Sequence, residues 1–138
     1  MADDDIVEYA GVRYTQGLEP LDALSPEQHA ARVLGIARWL PEPSMPWQAA
    51  KRVYFMRAAS GAIKIGTAYN PKSRRRSIQA AMPEAVELLT DFEGGFEREG
   101  YLHGVFAAER IRGEWFAPSE RLLALVARVA RLKAEAEV

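Results

Sequence analysis

The stretch VYFMRAASGAIKIGTAYNPKSRRRSIQ, residues 53–79, predicts a β-hairpin in its first half. Apolar side chains alternate along two short runs, so those of both predicted strands share one face: Val53, Phe55, Ile63 and Ile65. Ser60 and Gly61 lie between the runs and suit a tight turn. The hairpin therefore places Tyr54 and Lys64 together on its opposite face.

A helix is predicted directly after this hairpin. Asn70 can cap it, Pro71 fits its first turn, and we expect it to run to about Ala80. The run KSRRR, residues 72–76, puts four cations into the first two turns. Such a run is usually a solvated helix face, yet each cation near the N-terminus opposes the helix dipole by roughly 0.3 to 1 kcal/mol. A bound phosphate would offset this repulsion, so the placement favours a phosphate site.

Length and composition fit one compact domain with an appendage, because the chain has 138 residues and 49% of them are hydrophobic. The absence of cysteine excludes disulfides and thiolate metal sites and favours a reducing compartment. The N-terminus MADDDIVEYA does not resemble a secretory signal, and no apolar run approaches the roughly 18 residues of a membrane span. We expect a soluble cytoplasmic protein with no membrane partner.

Charge is distributed unevenly along the chain, although the net charge is only −1. Residues 1–50 carry 3 Arg against 8 acidic residues, whereas residues 51–138 carry 15 Lys and Arg against 11 acidic residues. The second part can attract a polyanion locally, but its excess is modest beside that of dedicated DNA-binding domains. Charge alone does not decide the partner.

The N-terminal part predicts an extension, residues 1–50, that precedes the main domain at 51–138. Its IVEYAGVRY segment is typical of a short hairpin around Gly11. Ser25 and Gln28 form a capping-box pattern with a proline between them, so we expect an amphipathic helix over about 26–40. The proline-rich segment PEPSMP is the predicted connector.

Downstream of the hairpin, the pattern predicts one more strand and two more helices. AVELLTDF reads as the third strand, FEREGYLHGVFAAE as a helix and RGEWFAPS as a bend. Pro118 opens a final helix to about Ala134, whose buried stripe we predict to be Leu122, Leu125, Val126 and Val129. The sequence therefore predicts an α+β fold, with a small three-stranded antiparallel sheet flanked by helices.

Two positions in the hairpin are candidates for chemistry, although both have ordinary structural explanations. Tyrosine is common in strands for packing reasons, and a strand lysine is usually solvated. If Lys64 lies beside Tyr54, however, its charge favours the phenolate and lowers the tyrosine pKa from about 10. The pair would then supply a base.

Glu99 and His103 are four residues apart on a predicted helix and share a face. They suit a surface ion pair, or a histidine bonded to a carboxylate. Alternatively, Glu99 is a ligand for a hard divalent ion, which binds through one or two carboxylates and keeps several waters. Zinc does not fit, because His29 is the only other histidine and there are no thiolates.

Taken together, these residues resemble the GIY-YIG endonuclease superfamily, in particular its small phage and bacterial branch with K-I-G as the second motif. The similarity covers about residues 52–126. Its motifs are Arg52-Val53-Tyr54, Lys64-Ile65-Gly66, then Arg74 eight residues later, the E-x-x-L-H-x-x-F pattern of Glu99, Leu102, His103 and Phe106, and R-G-E-W-F at 112–116. Three departures from the family pattern are the missing leading glycine of the first motif, Lys64 in place of the second tyrosine, and the lack of a clear equivalent of a downstream asparagine.

The resemblance implies a metal-dependent endonuclease that acts on DNA, most simply double-stranded DNA. Tyr54 is the implied general base, Arg74 the clamp on the scissile phosphate and Glu99 the ligand of one Mg²⁺ or Mn²⁺. Lys64 and His103 complete the implied catalytic set. The nucleic-acid contacts expected beside it are Lys72, Arg75 and Arg76, which position the backbone without reading sequence.

Two other functions remain open from the sequence. The same fold can serve as a catalytically inactive nucleic-acid-binding or protein-interaction module. Alternatively, the protein acts through residues 1–50, which can bind a protein partner while the domain is a scaffold.

Overall fold

A computed structural model describes the backbone of residues 6–9 and 12–15, together with residues 24–35 and 51–136 including their side chains. These ranges form an α+β structure with four α-helices, a five-stranded antiparallel sheet and a separate two-stranded sheet. No helix in these ranges is long and apolar enough to cross a membrane. In chain order the elements are β1 Ile6–Tyr9, β2 Val12–Thr15, α1 Pro26–Val33, β3 Arg52–Ala58, β4 Ile63–Ala68, α2 Pro71–Ala81, β5 Val86–Glu93, α3 Phe96–Val105, β6 Arg110–Arg112, β7 Trp115–Phe116 and α4 Glu120–Ala136.

The predicted hairpin forms the centre of the larger sheet, whose strand order is β5-β3-β4-β7-β6. Strands β3 and β4 pair antiparallel, with Tyr54 opposite Gly66 and Met56 opposite Lys64. Gly61 makes the turn at φ +103°, a backbone conformation that favours glycine, and its N–H donates to the Ala58 carbonyl at 2.8 Å. The sequence prediction of this hairpin is confirmed.

The prediction of three strands is wrong, because the RGEWF segment is a second hairpin rather than a bend. Gly113 adopts φ +57° and lets the chain reverse between β6 and β7. Strand β7 then pairs with β4 through Trp115 opposite Lys64 and Phe116 opposite Ile63. Strands of two and three residues are too short to show an alternating pattern in the sequence. They are stabilised by pairing with a strand that is distant in the chain.

Helices cover both faces of the sheet and bury two apolar clusters. On one face, the hairpin side chains Val53, Phe55, Ile63 and Ile65 pack with buried residues of α1, α3 and α4. The α4 stripe is buried as predicted: Leu122, Leu125, Val126 and Val129. On the other face, Tyr54 and Met56 pack with Val86 and with partly buried residues of the α2 side, Ile78 and Met82. The alternation of the hairpin therefore divides its side chains between two cores.

Helix α2 begins as the sequence indicates. Asn70 is its N-cap and accepts a hydrogen bond from the Ser73 N–H at 3.1 Å, and Pro71 follows as the first helical residue. The first turn holds no acidic side chain. The repulsion between the N-terminal dipole and the cations of residues 72–76 is therefore not relieved from within that turn.

The N-terminal hairpin is confirmed, since β1 and β2 pair antiparallel with Ile6 opposite Thr15 and Tyr9 opposite Val12. Ser25 caps α1, and its capping box with Gln28 is complete.

Helix α1 is shorter than the predicted 26–40. It ends at Val33, and Gly35 follows in a left-handed conformation at φ +77°, which is typical of a helix C-terminus. Residues 36–40 and the predicted connector at 41–46 lie outside the described residues.

Helix α1 packs mainly against α4, and the side chains Leu24, Ala30 and Val33 belong to the same core as the central hairpin. A buried hydrogen bond of 2.6 Å joins His29 Nδ1 to Tyr101 Oη on α3. This part of the predicted extension is therefore integrated into the domain core, although the sequence assigned it to a separate segment.

Candidate functional site

The site is built around Gly66, where the ring of Tyr54 lies directly across the hairpin. A Cβ on Gly66 would stand 2.5 Å from Tyr54 Oη and 3.0 Å from Glu114 Oε1. Tyr54 is 1% exposed, so its ring is held between the sheet and the α2 side. Strand β7 pairs only with Ile63 and Lys64, which leaves Gly66 beyond its end. Two functional groups therefore meet at a point where only glycine leaves room.

Gly66→Ala is expected to destabilise the protein by about 1 to 3 kcal/mol, because the new methyl group overlaps the Tyr54 ring and strand pairing limits movement. The matched control is Gly100→Ala in α3, where a Cβ would meet nothing within 4 Å. That control should stabilise the helix by about 0.5 to 1 kcal/mol. Urea unfolding measures both changes. Equal stability of the two variants would contradict the close packing of Tyr54 on Gly66.

Lys64 does not pair with Tyr54 in the manner the sequence suggested. It lies opposite Met56 rather than Tyr54, and its ammonium forms an ion pair with Glu114 Oε1 at 3.0 Å. The Nζ also lies 5.4 Å from the centroid of the Trp115 ring. The groups named as acting on the Tyr54 pKa are Arg74, Glu114 and Glu99. This register gives no support to activation of Tyr54 by Lys64, which stays a prediction.

The cation that acts on Tyr54 is Arg74 of α2. Burial raises the pKa of Tyr54 above its ordinary value of 10, while a hydrogen bond from Arg74 and its charge lower the pKa, and the charges of Glu114 and Glu99 raise it. Burial prevails, so the tyrosine is a phenol at neutral pH. Any proton transfer through this group must begin from the phenol or form the phenolate during turnover.

Glu99 reaches the site from α3, on the opposite face of the sheet. The Thr67 side chain donates a hydrogen bond to its carboxylate, and Oε2 is buried with no hydrogen-bond partner. Burial, and then the charge of Glu114, raise the pKa of Glu99 from 4.5 to about 7, against the lowering effects of Lys51 and Lys64. A partly desolvated carboxylate with an unsatisfied oxygen is suited to bind a cation.

The raised pKa of Glu99 predicts a pH dependence of stability. Because the folded pKa of about 7 exceeds the ordinary 4.5, the stability linked to this group is complete below about pH 4.5 and is lost as pH rises through 7. In EDTA, Glu99→Gln should therefore gain stability relative to wild type as pH rises from about 4.5 to above 7. Denaturant unfolding across this range measures the difference. A difference independent of pH would contradict the raised pKa.

Glu99 is suited to hold a divalent metal ion. Glu114 lies close enough for its negative charge to act on Glu99, and it would add to the attraction for a cation. Within residues 24–35 and 51–136, no three His, Asp or Glu side chains are grouped so that they could hold a metal ion. This part of the chain therefore offers no set of three such side chains around one point. The arrangement fits instead an ion of the Mg²⁺ type, which one or two carboxylates hold together with waters and substrate phosphates.

His103 lies one turn after Glu99 and faces the backbone of β4. Its Nε2–H donates to the Ile65 carbonyl at 2.9 Å, and its ring centroid lies 5.1 Å from that of Phe116. The hydrogen-bond partner of His103 is therefore a backbone carbonyl, and not a carboxylate as in the surface ion pair considered from the sequence. It fixes α3 against the K-I-G strand and so positions Glu99.

The basic run of α2 divides into two kinds of residue. Arg75 is half-buried and donates to the Val86 carbonyl at 3.2 Å, so it ties α2 to β5. Lys72 and Arg76 are exposed, and Arg76 also donates to Ser73 Oγ at 3.1 Å. Three residues were predicted to contact the nucleic-acid backbone. The charged groups of Lys72 and Arg76 lie at the surface, whereas the guanidinium of Arg75 is bonded to the Val86 carbonyl.

Glu114 is the site residue that sequence reasoning did not select. Its carbonyl accepts from the Ile65 N–H at 3.0 Å, and its carboxylate meets both Lys64 and the Gly66 position. The signal lay in the RGEWF segment: if 112–116 is a hairpin that pairs with the K-I-G strand, its glutamate falls beside the glycine. Reading that segment as a bend concealed the contact.

Comparison with known proteins gives no family assignment for this geometry. No protein-family model, no curated protein and no solved structure matches the chain.

Proposed function

We propose that this protein is a divalent-metal-dependent endonuclease that hydrolyses DNA phosphodiester bonds on a GIY-YIG-like fold. The observation that carries the proposal is that Arg74 and Glu99 both act on the hydroxyl of Tyr54, although they come from helices on different faces of the sheet. Arg74 hydrogen-bonds the tyrosine hydroxyl, and the charge of Glu99 acts on the same group. Phosphodiester hydrolysis needs an activated water, cations around the phosphoryl oxygens and help for the leaving oxygen. One residue is available for each of these tasks.

In the proposed reaction, the oxygen of a water attacks phosphorus and the bond from phosphorus to the leaving oxygen breaks. The proton of that water passes to Tyr54 Oη, so the tyrosine must act as phenolate. Its hydrogen bond from Arg74 favours that form against burial. The same guanidinium would hold the phosphate and stabilise the negative charge that develops on it. Because the pKa of Tyr54 is raised, only a small fraction of the protein carries the phenolate near neutral pH, and the rate is expected to follow that fraction.

Glu99 would hold one Mg²⁺ or Mn²⁺, whose charge stabilises the leaving oxygen when bound. The buried, unpaired Oε2 of Glu99 supports this assignment. His103 is a positioning residue that keeps α3 in register with β4 through Ile65. Lys64 remains on the Tyr54 face and would contact phosphate oxygens, with Glu114 as its partner in the free protein.

Lys72 and Arg76 would extend the contact along the DNA backbone. Both are exposed on α2, which carries Arg74 in its first two turns. Contacts of this kind add salt-dependent affinity and orient the duplex but carry no sequence information.

The proposal is tested by incubating the purified protein with supercoiled plasmid and Mg²⁺ or Mn²⁺. We expect nicked and then linear DNA, and we expect EDTA to suppress both. If plasmid, linear duplex, single-stranded DNA and RNA all stay intact while the protein binds them in a salt-dependent manner, it is an inactive binding module instead.

A further inference from the structure

Two exposed aromatic rings meet at one lysine beside the proposed site. Among the described residues, four large hydrophobic side chains are exposed, and the two aromatic ones are Tyr69, 56% exposed, and Phe96, 45% exposed. The Nζ of Lys51 lies 4.2 Å from the Phe96 ring centroid and 5.4 Å from that of Tyr69. The other two, Ile111 and Leu123, are aliphatic. Isolated exposed apolar residues are ordinary on protein surfaces, but two rings around one cation form a specific cluster.

Three separate segments of the chain bring this cluster together. Lys51 immediately precedes β3, Tyr69 lies between β4 and α2, and Phe96 is the first residue of α3. The sheet and both helix starts therefore fix the position of the rings.

The cluster adjoins the groups proposed for catalysis. Phe96 and Glu99 are three residues apart on α3 and share a face. The charge of Lys51 lowers the Glu99 pKa, which requires the ammonium to lie near that carboxylate. Tyr69 directly precedes Asn70, the cap of the helix that carries Arg74. A nucleotide beside the phosphate held at the site would therefore be within reach of both rings.

We propose that Lys51, Tyr69 and Phe96 form a stacking subsite for an unpaired nucleobase adjacent to the scissile phosphate. Exposed aromatic rings bind bases by stacking, at about 1 to 3 kcal/mol per base, and a lysine between them can contact the flanking phosphate. In an intact duplex the faces of the bases are covered by their neighbours, so only single-stranded, frayed or mismatched nucleotides reach the rings. The location beside a scissile phosphate rests on the proposed endonuclease function, whereas the binding of an unpaired base does not.

Binding without cleavage tests the subsite. Fluorescence anisotropy in EDTA compares labelled single-stranded oligonucleotides with a blunt duplex of the same sequence. Tyr69→Ala and Phe96→Leu should each weaken single-strand binding by about 5- to 150-fold, the equivalent of one lost stack. Duplex binding should change less than threefold. Tyr69→Phe keeps a ring and should retain single-strand affinity. Matched DNA and RNA oligonucleotides distinguish the two sources of an unpaired base.

Leu123→Ala is the control, because it removes an exposed apolar side chain on α4 that is outside this cluster. Thermal unfolding establishes that each variant is folded. Unchanged single-strand binding in both Tyr69→Ala and Phe96→Leu, or equal losses for single strand and duplex, would overturn the subsite. Cleavage of a duplex carrying a single-stranded tail, assayed separately with Mg²⁺, tests the enzyme proposal: intact binding without cleavage would refute the nuclease and leave the subsite standing.

Discussion

Glu99→Gln is expected to lower divalent-ion-dependent plasmid cleavage by about 10²-fold or more. The substitution keeps the shape of the side chain but removes the charge that would hold Mg²⁺ or Mn²⁺. A metal ion on a phosphoryl oxygen contributes several kcal/mol of transition-state stabilisation, and each 1.4 kcal/mol is tenfold in rate. Time courses of plasmid nicking at fixed metal concentration measure the loss. Calorimetric titration of the protein with Mn²⁺ measures the affinity for the ion independently of cleavage.

Glu97→Gln is the matched control for this prediction. It makes the same chemical change in the first turn of the same helix, two residues from Glu99. We expect it to cut plasmid at a rate within about threefold of wild type. Wild-type cleavage by Glu99→Gln, with unchanged Mn²⁺ affinity, would remove Glu99 from the site.

Tyr54→Phe is expected to lower the rate of cleavage by about 10²- to 10⁴-fold, the usual contribution of a general base. The ring stays packed over Gly66, so the change in stability should be within about 1 kcal/mol. Because the Tyr54 pKa is raised, the phenolate fraction of the wild type grows about tenfold per pH unit from neutral pH upward. The rate of wild-type cleavage should therefore rise with pH between about 7 and 9, and this rise should disappear in Tyr54→Phe.

Tyr14→Phe, in the separate two-stranded sheet, removes the same hydroxyl group elsewhere and should leave the pH profile unchanged. A Tyr54→Phe protein that keeps both the wild-type rate and its alkaline rise would show that another group accepts the proton. In that case the only role left for Arg74 would be to contact the phosphate, because it would no longer act on a catalytic tyrosine.

Together, these variants separate the two sides of the sheet. Tyr54 is packed on the α2 face, whereas Glu99 is held on α3 across the sheet through Thr67. If only the Glu99 variant fails, ion binding is established without the tyrosine mechanism. If only Tyr54→Phe loses cleavage activity, the tyrosine hydroxyl is needed for cleavage but Glu99 does not bind the metal ion.

Much of the local structure was predictable because it depends on neighbouring residues in the chain. The alternation around Tyr54, the turn at Gly61 and the cap at Asn70 each follow from local backbone preferences. Arg74 and Glu99 were selected because their motifs resemble those of the GIY-YIG superfamily, and their roles stay predictions.

What the sequence did not predict was the pairing of charges. Lys64 was expected to act on Tyr54, but the register of β7 brings Glu114 to the lysine instead. Arg75 looked like its neighbours in the basic run, yet the approach of β5 gives it the Val86 carbonyl. A charge binds the nearest suitable partner in space, and that partner is often distant in sequence.

The sequence by itself determined the central hairpin and the helices that follow it, and its motifs suggested Tyr54, Arg74 and Glu99 for the proposed reaction. Only the tertiary structure decided that two very short strands widen the sheet and that α1 joins the core through Ala30 and Val33. It also placed Tyr54 against Gly66 and raised the Glu99 pKa to about 7. Periodicity and capping act over a few residues, whereas desolvation and charge coupling depend on every segment that folds around a group.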